Sequence, residues 1–164
     1  AVSIVEAIKE ITALQAQIKW PNDILIQHKK LGGILTELNA QVDAIRFVVI
    51  GIGINVNNDK KTLMTNATSL REQKKENISR IDLLKELLCR LEANYLLLQE
   101  KGNVPVIEKW EQYSITLGKR IKVICQRKQI EGLAAGIDLD GGLLVRKDSG
   151  VTEKVTSGDV VHCQ

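Results

Sequence analysis

The longest nearly uninterrupted apolar run of the chain lies at residues 46–57 and reads RFVVIGIGINVN. Its β-branched content predicts a strand buried on both faces, with successive side chains on opposite sides. One face is predicted to be a core stripe, formed by Val48, Ile50, Ile52, Ile54 and Val56. The opposite face starts with two apolar side chains, loses its side chains at two glycines and ends in two carboxamides: Phe47, Val49, Gly51, Gly53, Asn55 and Asn57.

The two glycines at alternate positions need an explanation, because glycine in a strand costs backbone entropy and packs nothing. One explanation is structural: a neighbouring element packs closely there, or the strand bulges. The other is functional: a ligand approaches the backbone. The pattern of this strand alone leaves both open.

Before this strand, the pattern predicts one helix and three short strands. Residues 2–14 place Ile4, Ile8 and Ile11 on one helical face. Strands are predicted at 17–20, 23–27 and 31–38, and residues 39–45 are predicted to be a loop. Because the connections are short, we expect antiparallel neighbours in the sheet.

After residue 57 the pattern predicts a long polar loop and then two helices. Residues 58–77 form the loop, with one turn of helix near 68–72. Ser79 and Asp82 stand in capping-box positions, and Gly102 is a plausible stop. Between them runs a regular apolar stripe of Ile81, Leu84, Leu88, Leu91, Tyr95 and Leu98. A second helix is predicted at 104–113.

From residue 116 the period changes to two, which predicts short strands near 119–126, 129–137, 143–147 and 153–155. Asp140-Gly141 is a strong hairpin signal. These strands predict a small β-barrel appended to the main domain. We therefore divide the chain into residues 1–115 and 116–164.

Composition narrows the function classes. No apolar run is long enough to span a bilayer, and the three cysteines have no metal-type pairing, so we expect reduced thiols in a cytoplasmic protein without a protein-held metal. The net charge is only +3. The pattern does not favour nucleic-acid binding, because the basic residues of the barrel are only partly clustered and are offset by acidic neighbours. The basic group is Lys119, Arg120, Lys122, Arg127 and Lys128, and the acidic neighbours are Glu131, Asp138 and Asp140.

Three motifs could carry chemistry: Lys19-Trp20-Pro21-Asn22-Asp23, Lys30-Leu31-Gly32-Gly33-Ile34-Leu35 and Gly51-Ile52-Gly53-Ile54-Asn55-Val56-Asn57. Each alone is more often structural. Together and in this order they resemble the catalytic domain of biotin protein ligases. The segment Ala67-Thr68-Ser69-Leu70 and the glycine pattern after residue 116 resemble the same family, so the likeness covers nearly the whole chain.

The resemblance implies an α+β fold, in which a mixed β-sheet with helices on one side is followed by a small SH3-like β-barrel. It implies ATP and biotin as substrates, Mg²⁺, and formation of biotinyl-AMP. It also implies transfer of the biotinyl group to a lysine of a biotin carboxyl carrier domain. Lipoate ligases share the catalytic fold but not this set of motifs, so they are the second reading. A third reading is a non-catalytic module that binds a protein partner.

The resemblance also implies roles for residues. Lys30 corresponds to the family's catalytic lysine, which contacts biotin and the adenylate. Gly32, Gly33, Gly51 and Gly53 are expected to leave room for the ligands. Asn55 corresponds to the adenine contact. Trp20, Asn22, Asp23 and Asn57 complete the expected substrate and nucleotide site, Asn22 and Asp23 at its rim and without a role in proton transfer.

One departure from the family is large. Its Gly/Arg-rich loop, which closes over biotin and the adenylate, has no counterpart in this sequence. We therefore expect a fragment, or a site completed by a separate chain, that is inactive alone and prone to self-association.

Overall fold

The structure, a computed structural model, describes residues 1–41, 44–125 and 128–162. It contains four α-helices and nine strands in these residues. The helices are α1 (Val2–Thr12), α2 (Leu70–Lys74), α3 (Arg80–Lys101) and α4 (Val104–Tyr113). The first four strands are β1 (Gln17–Lys19), β2 (Asp23–Ile26), β3 (Lys29–Gln41) and β4 (Ala44–Ile54). The remaining five are β5 (Arg120–Cys125), β6 (Lys128–Ile137), β7 (Leu143–Arg146), β8 (Thr152–Val155) and β9 (Asp159–His162).

The strands form two sheets, and the α+β class is confirmed. The first sheet has the order β1-β2-β3-β4, and the second has the order β8-β7-β6-β5-β9. Every described pairing between these strands is antiparallel, as the short connections predict. Parallel pairing is confined, in the described ranges, to two isolated bridges, Ile18 with Ser114 and Lys30 with Ala67.

Helix boundaries follow the predicted capping residues. The Ser79 hydroxyl accepts a hydrogen bond from the Asp82 amide, and Gly102 follows the last turn of α3 with a φ of 71°. Ser69 caps the short helix α2 in the same way, through the amide of Glu72. Helix α4 spans the predicted residues, with Pro105 in its first turn.

Two apolar clusters form the interior. The first is built from α1, strands β1 and β2, the start of β3 and part of α3, with Ile4, Ile8, Ile18, Ile24 and Leu31 at 1% exposure or less. The second lies under the five-stranded sheet and includes Ile121, Val123, Leu143 and Val145, together with Trp20 from the first sheet's side. Trp20 therefore joins the two halves of the molecule.

The prediction of a loop at 39–45 is wrong. Strand β3 continues to Gln41 and β4 begins at Ala44, with Asn39 opposite Phe47 and Gln41 opposite Ala44. A ladder of backbone hydrogen bonds does not require apolar side chains, so polar composition did not end the strand. Residues 42 and 43, which complete the predicted loop, lie outside the described residues.

The predicted core stripe of β4 is buried only in part. Ile52, Ile54 and Val56 pack against the first cluster, but Val48 is 47% exposed and Ile50 is 53% exposed. Helix α3 shows the same division, because it buries Leu83, Leu87 and Asn94 and leaves the regular apolar stripe outside. The periodicity located the strand and the helix correctly, but it did not identify what covers each face.

Candidate functional site

Lys30 projects from the start of β3 with its backbone held on one side by the loop that precedes α2. Its amide donates to the carbonyl oxygen of Asn66, and its carbonyl oxygen accepts from the amide of Thr68, each at 2.9 Å. The side chain is 54% exposed, and its Nζ lies 2.6 Å from Asp23 Oδ1. The structure thus places a lysine–aspartate pair on an open surface, with the lysine main chain fixed.

Asp23 is positioned by the turn that carries Asn22. The Asn22 side chain donates through Nδ2 to the Ile34 carbonyl oxygen at 2.8 Å, and the Ile34 amide donates back to the Asn22 carbonyl oxygen at 2.9 Å. Asp23 is paired with Gly33 across β2 and β3. The turn is therefore attached to β3 next to the lysine, and a substrate contact by Asn22 or Asp23 stays a prediction.

The four glycines divide into two kinds. A methyl group on Gly32 would overlap the carbonyl oxygen of Gly53, so the packing of β3 against β4 requires this glycine. A methyl group on Gly33, Gly51 or Gly53 would have its nearest neighbour at 3.5, 3.6 or 3.9 Å, which is ordinary contact. Gly32 is therefore explained by close packing, whereas the protein's own contacts do not require the other three.

These three glycines share a face of the β3–β4 pair, and we call them the glycine patch. Gly33 is opposite Gly53, and Leu35 is opposite Gly51. At one end of the patch, the Gly33 Cβ position is 3.5 Å from Asp23 Oδ1 and 3.7 Å from Lys30 Cε. A bare stretch of backbone thus adjoins the lysine–aspartate pair, and a flat or extended molecule could lie there with an anionic group at Lys30.

The two asparagines after β4 differ in what they contact. Asn55 donates through Nδ2 to the Thr68 carbonyl oxygen at 3.1 Å. Asn57 donates through Nδ2 to the Ile78 carbonyl oxygen at 2.8 Å and accepts from the Ile78 amide at 2.9 Å. Both functional atoms of the Asn57 carboxamide are thus engaged in fixing the segment before α3, and this is a structural role. A ligand contact by Asn55 stays a prediction.

The described contacts of Trp20 are not with the glycine patch. It is 4% exposed, and its indole Nε1 donates to the Gly141 carbonyl oxygen at 3.1 Å. Its backbone amide donates to the Thr116 hydroxyl at 3.0 Å. The sequence grouped Trp20 with the ligand site because it stands in the same motif, and the structure gives its side chain a place in the second apolar cluster. Thr116 has no sequence signal that could have revealed this contact.

Several charged side chains of the five-stranded sheet and its loops are paired with one another. Lys128 and Lys147 both contact Glu153, and their hydrogen bonds hold the pKa of the Glu153 carboxyl below its usual range. Arg120 pairs with Asp148 at 2.6 Å and with Glu131 at 3.4 Å. Arg127 belongs to the same predicted basic group but lies outside the described residues.

An apolar groove of about 370 Å³ lies between β4 and α3. It is lined by Ile50, Ile52, Leu84, Leu87, Leu88 and Leu91, among others. Neither Lys30 nor Asp23 lines it, so this groove and the candidate polar site are separate features. The groove offers apolar surface and no concentration of charged side chains.

Two further observations limit the chemistry of the described residues. Within them, no three His, Cys, Asp or Glu side chains come together as a metal-binding group. None of their helices combines the length and the hydropathy needed to cross a membrane. Cys89 and Cys125 are free thiols, and Cys163 lies outside the described residues.

Comparisons with known proteins show the family to which the chain is similar. Residues 1–55 match the biotin/lipoate A/B protein ligase family, and residues 116–163 match the biotin protein ligase C terminal domain. The bifunctional ligase/repressor BirA of Bacillus subtilis (strain 168) is 38% identical over 164 residues, which are 98% of this chain and 50% of that protein. The chain therefore spans about half the length of the curated relatives it matches.

Solved structures show which family within this wider class the chain is similar to. The biotin protein ligase of Aquifex aeolicus superposes with a TM-score of 0.83 at 30% identity, covering 99% of this chain and 71% of that one. The same ligase in complex with biotin and ATP gives a TM-score of 0.81 at 29% identity, covering 99% and 68%. The fold and the match to residues 1–55 define the wider class of biotin and lipoate ligases. Within that class, the chain belongs to the biotin protein ligase family.

Proposed function

We propose that this chain carries part of a site that activates biotin with ATP and transfers it to a protein lysine. The observation that carries the proposal is the glycine patch beside Lys30, where the protein's own packing leaves backbone open next to a half-exposed ammonium. The related Aquifex aeolicus ligase is known in complex with biotin and ATP. Residues 1–115 would act as the catalytic domain and residues 116–164 as an SH3-like barrel.

The reaction has two steps. In the first, a carboxylate oxygen of biotin attacks the α-phosphorus of ATP, and the bond to the leaving pyrophosphate breaks. In the second, the amine of a lysine on a biotin carboxyl carrier protein attacks the acyl carbon, AMP leaves with the electron pair of the broken C–O bond, and the amine loses its proton. Both steps concentrate negative charge near one point, where a fixed ammonium is most effective.

Lys30 would supply that ammonium. Its main chain is fixed by hydrogen bonds to Asn66 and Thr68, which keeps the ammonium close to one place. An anion that binds the ammonium would compete with the Asp23 carboxylate. Charge-assisted hydrogen bonds to carboxylate or phosphate are among the stronger polar contacts. Asn55 would offer a donor and an acceptor to the adenine edge, as a carboxamide can.

Mg²⁺ would enter with the nucleotide as part of the substrate. The described residues form no acidic metal-binding group, and magnesium commonly binds substrate phosphates with few protein ligands. The carrier protein and self-association are likewise proposals, the second supported by the exposed apolar groove. A lipoate ligase is the alternative within the same reaction class, and comparing biotin with lipoate as the acid that forms an adenylate separates the two.

The test uses a glycine whose substitution should spare the fold. Gly53→Ala adds a methyl group with its nearest neighbour at 3.9 Å, so we expect the unfolding midpoint to be unchanged or slightly raised. The same methyl group would occupy the space proposed for the ligand, and biotinyl-AMP affinity should fall by roughly tenfold or more. Isothermal titration calorimetry measures the affinity.

The matched control is Gly136→Ala in β6. Its methyl group would also have its nearest neighbour at 3.9 Å, but this glycine lies on the other sheet. It should leave biotinyl-AMP affinity unchanged. If Gly53→Ala bound biotinyl-AMP as well as the wild type, the glycine patch would not be the ligand surface.

A further inference from the structure

Trp20 has contacts that its place in the site motif does not explain. Its ring is buried in the second apolar cluster, with Val123, Leu143 and Val145 among the members. The indole N–H donates to Gly141 at the tip of the β6–β7 hairpin, and the main-chain N–H donates to buried Thr116. These contacts tie one residue in the turn of the first sheet to the cluster under the five-stranded sheet, to its β6–β7 hairpin and to the segment before β5.

The next residues along the chain hold the candidate site. Asn22 exchanges two hydrogen bonds with Ile34 of β3, and Asp23 pairs with the Lys30 ammonium at 2.6 Å. Only Pro21 separates these residues from Trp20. A displacement of Trp20 must therefore move Asp23, or break the hydrogen bonds between Asn22 and Ile34.

We propose that Trp20 is a positioning residue: through it, the five-stranded sheet sets where Asp23 stands and so where the Lys30 ammonium is held. Trp20 does not contact substrate in this view. The importance of Lys30 rests on the proposed function, but the coupling itself concerns only contacts within this chain. This coupling would give the five-stranded sheet a role at the site, although Asp23 and Gly33, which lie next to the Lys30 side chain, both belong to the first sheet.

Further contacts near Trp20 support this coupling. Ile115 donates through its amide to the Ile18 carbonyl oxygen at 2.9 Å, so the chain immediately before residue 116 also runs along β1. A cavity of about 260 Å³ lies beside Trp20, lined in part by Pro21, Trp110 and Gly141. The indole hydrogen bond therefore crosses a junction that is not filled by packing alone, and its loss should allow the turn to shift.

The experiment needs no ligand. The chain is treated with a small amine-acylating reagent, and mass spectrometry gives the acylation rate of Lys30 relative to its neighbour Lys29. Trp20→Phe keeps an aromatic ring in the cluster and removes the indole donor. Release of the turn should loosen the Asp23–Lys30 pair and raise the Lys30-to-Lys29 ratio by roughly two- to tenfold, the range for loss of one hydrogen bond.

General loosening of the fold would also release Lys30, so the ratio is measured under conditions where each variant is folded, and a control variant of similar stability separates positioning from stability. Asp23→Asn should raise the ratio directly, and Trp20→Phe combined with Asp23→Asn should add little to it. Thr116→Val is a second variant that removes the partner of the Trp20 amide and should act in the same direction. In the folded variants, hydrogen exchange of the Ile34 amide should quicken as well.

The matched control is Trp110→Phe, the same chemical change at another tryptophan that lines the same cavity. It should leave both the ratio and the Ile34 exchange rate unchanged. The inference is overturned if Trp20→Phe and Thr116→Val leave the ratio unchanged, or if Trp110→Phe raises it equally. A failure of biotinyl-AMP binding would not affect this result, so the two proposals fail separately.

Discussion

The two halves of the long β3–β4 pair have similar apolar side chains in different surroundings. At the inner half, Leu31 is fully buried, and Ile34 and Ile54 pack against the first cluster. At the outer half, Leu38 is 60% exposed and Phe47 is 54% exposed. The hydrogen-bonded ladder runs through both halves without a change of partner, with one irregularity at residues 39 and 40.

The difference shows that an alternating apolar pattern specifies a strand more firmly than it specifies burial. Burial depends on what packs on each face, and in the described residues the first cluster, which contains α1 and part of α3, includes side chains of the inner half only. The glycine patch and Lys30 lie toward the inner half, so the candidate site is built on strands that pack against the first cluster. The outer half provides apolar surface instead.

The largest expected effect compares two leucines of one strand. Leu31→Ala in β3 removes a side chain with 0% exposure and should lower the free energy of unfolding by about 2–5 kcal/mol. Leu38→Ala in the same strand should change it by less than about 0.5 kcal/mol, because that side chain is mostly in solvent. Urea unfolding followed by circular dichroism measures both. Equal losses would show that the outer half is covered in solution.

The next effect concerns catalysis at the inner half. In a protein that forms biotinyl-AMP, Lys30→Ala should lower the rate of adenylate formation by about 10²–10³-fold, because a charge-stabilising donor is lost. Lys29, one residue earlier and exposed, should tolerate alanine with little change. The measurement is pyrophosphate release at saturating ATP. Equal damage from the two substitutions would remove the reason for choosing Lys30.

A smaller change in the free energy of unfolding should distinguish Gly32 from the glycine patch. Gly32→Ala forces a methyl group against the Gly53 carbonyl oxygen and should cost about 1–3 kcal/mol of unfolding free energy, as overpacking does. Gly51→Ala meets its nearest atom at 3.6 Å and should cost little or be slightly stabilising. Thermal unfolding compares them. If Gly51→Ala proved the more damaging, the division between packing glycines and the glycine patch would be wrong.

Much of the fold could be predicted from local signals. Ser79, Gly102 and Asp140-Gly141 act through short-range backbone geometry, so each marked its helix end or hairpin correctly. The extension of β3 through Asn39 and Gln41 could not be read in the same way, because it depends on pairing with residues of β4. The exposure of Ile50 and Leu88 depends on which tertiary neighbours cover them, and the periodicity of the sequence carries no information about those neighbours.

For the candidate site, the sequence identified residue types better than their contacts. It grouped Asp23, Gly33 and Lys30, and the structure brings these three together. It could not separate Gly32 from the other glycines, since that distinction rests on one close approach across the ladder. Nor could it show that Trp20 turns toward residues far along the chain, because Thr116 and Gly141 carry no motif that points back to it.

The smallest expected effect on stability comes from a substitution at the exposed edge of β4, which should clearly change self-association of the chain. Among the described residues, β4 pairs only with β3, so its other edge carries free backbone groups next to the exposed side chains of Val48 and Ile50. Open strand edges and contiguous apolar surface both favour contact between chains. We therefore expect the average mass of the wild-type chain to rise with concentration in sedimentation experiments.

Ile50→Lys places a charge at this edge, on a side chain that lines the apolar groove and is 53% exposed. It should reduce the concentration-dependent rise in mass while changing the free energy of unfolding of the dilute chain by less than about 0.5 kcal/mol. Lys122→Glu, a charge change in the middle of β5, is the control and should leave the association unchanged. A wild-type chain that stays monomeric at every concentration would show that exposed apolar strand surface in this fold is tolerated in water without a partner.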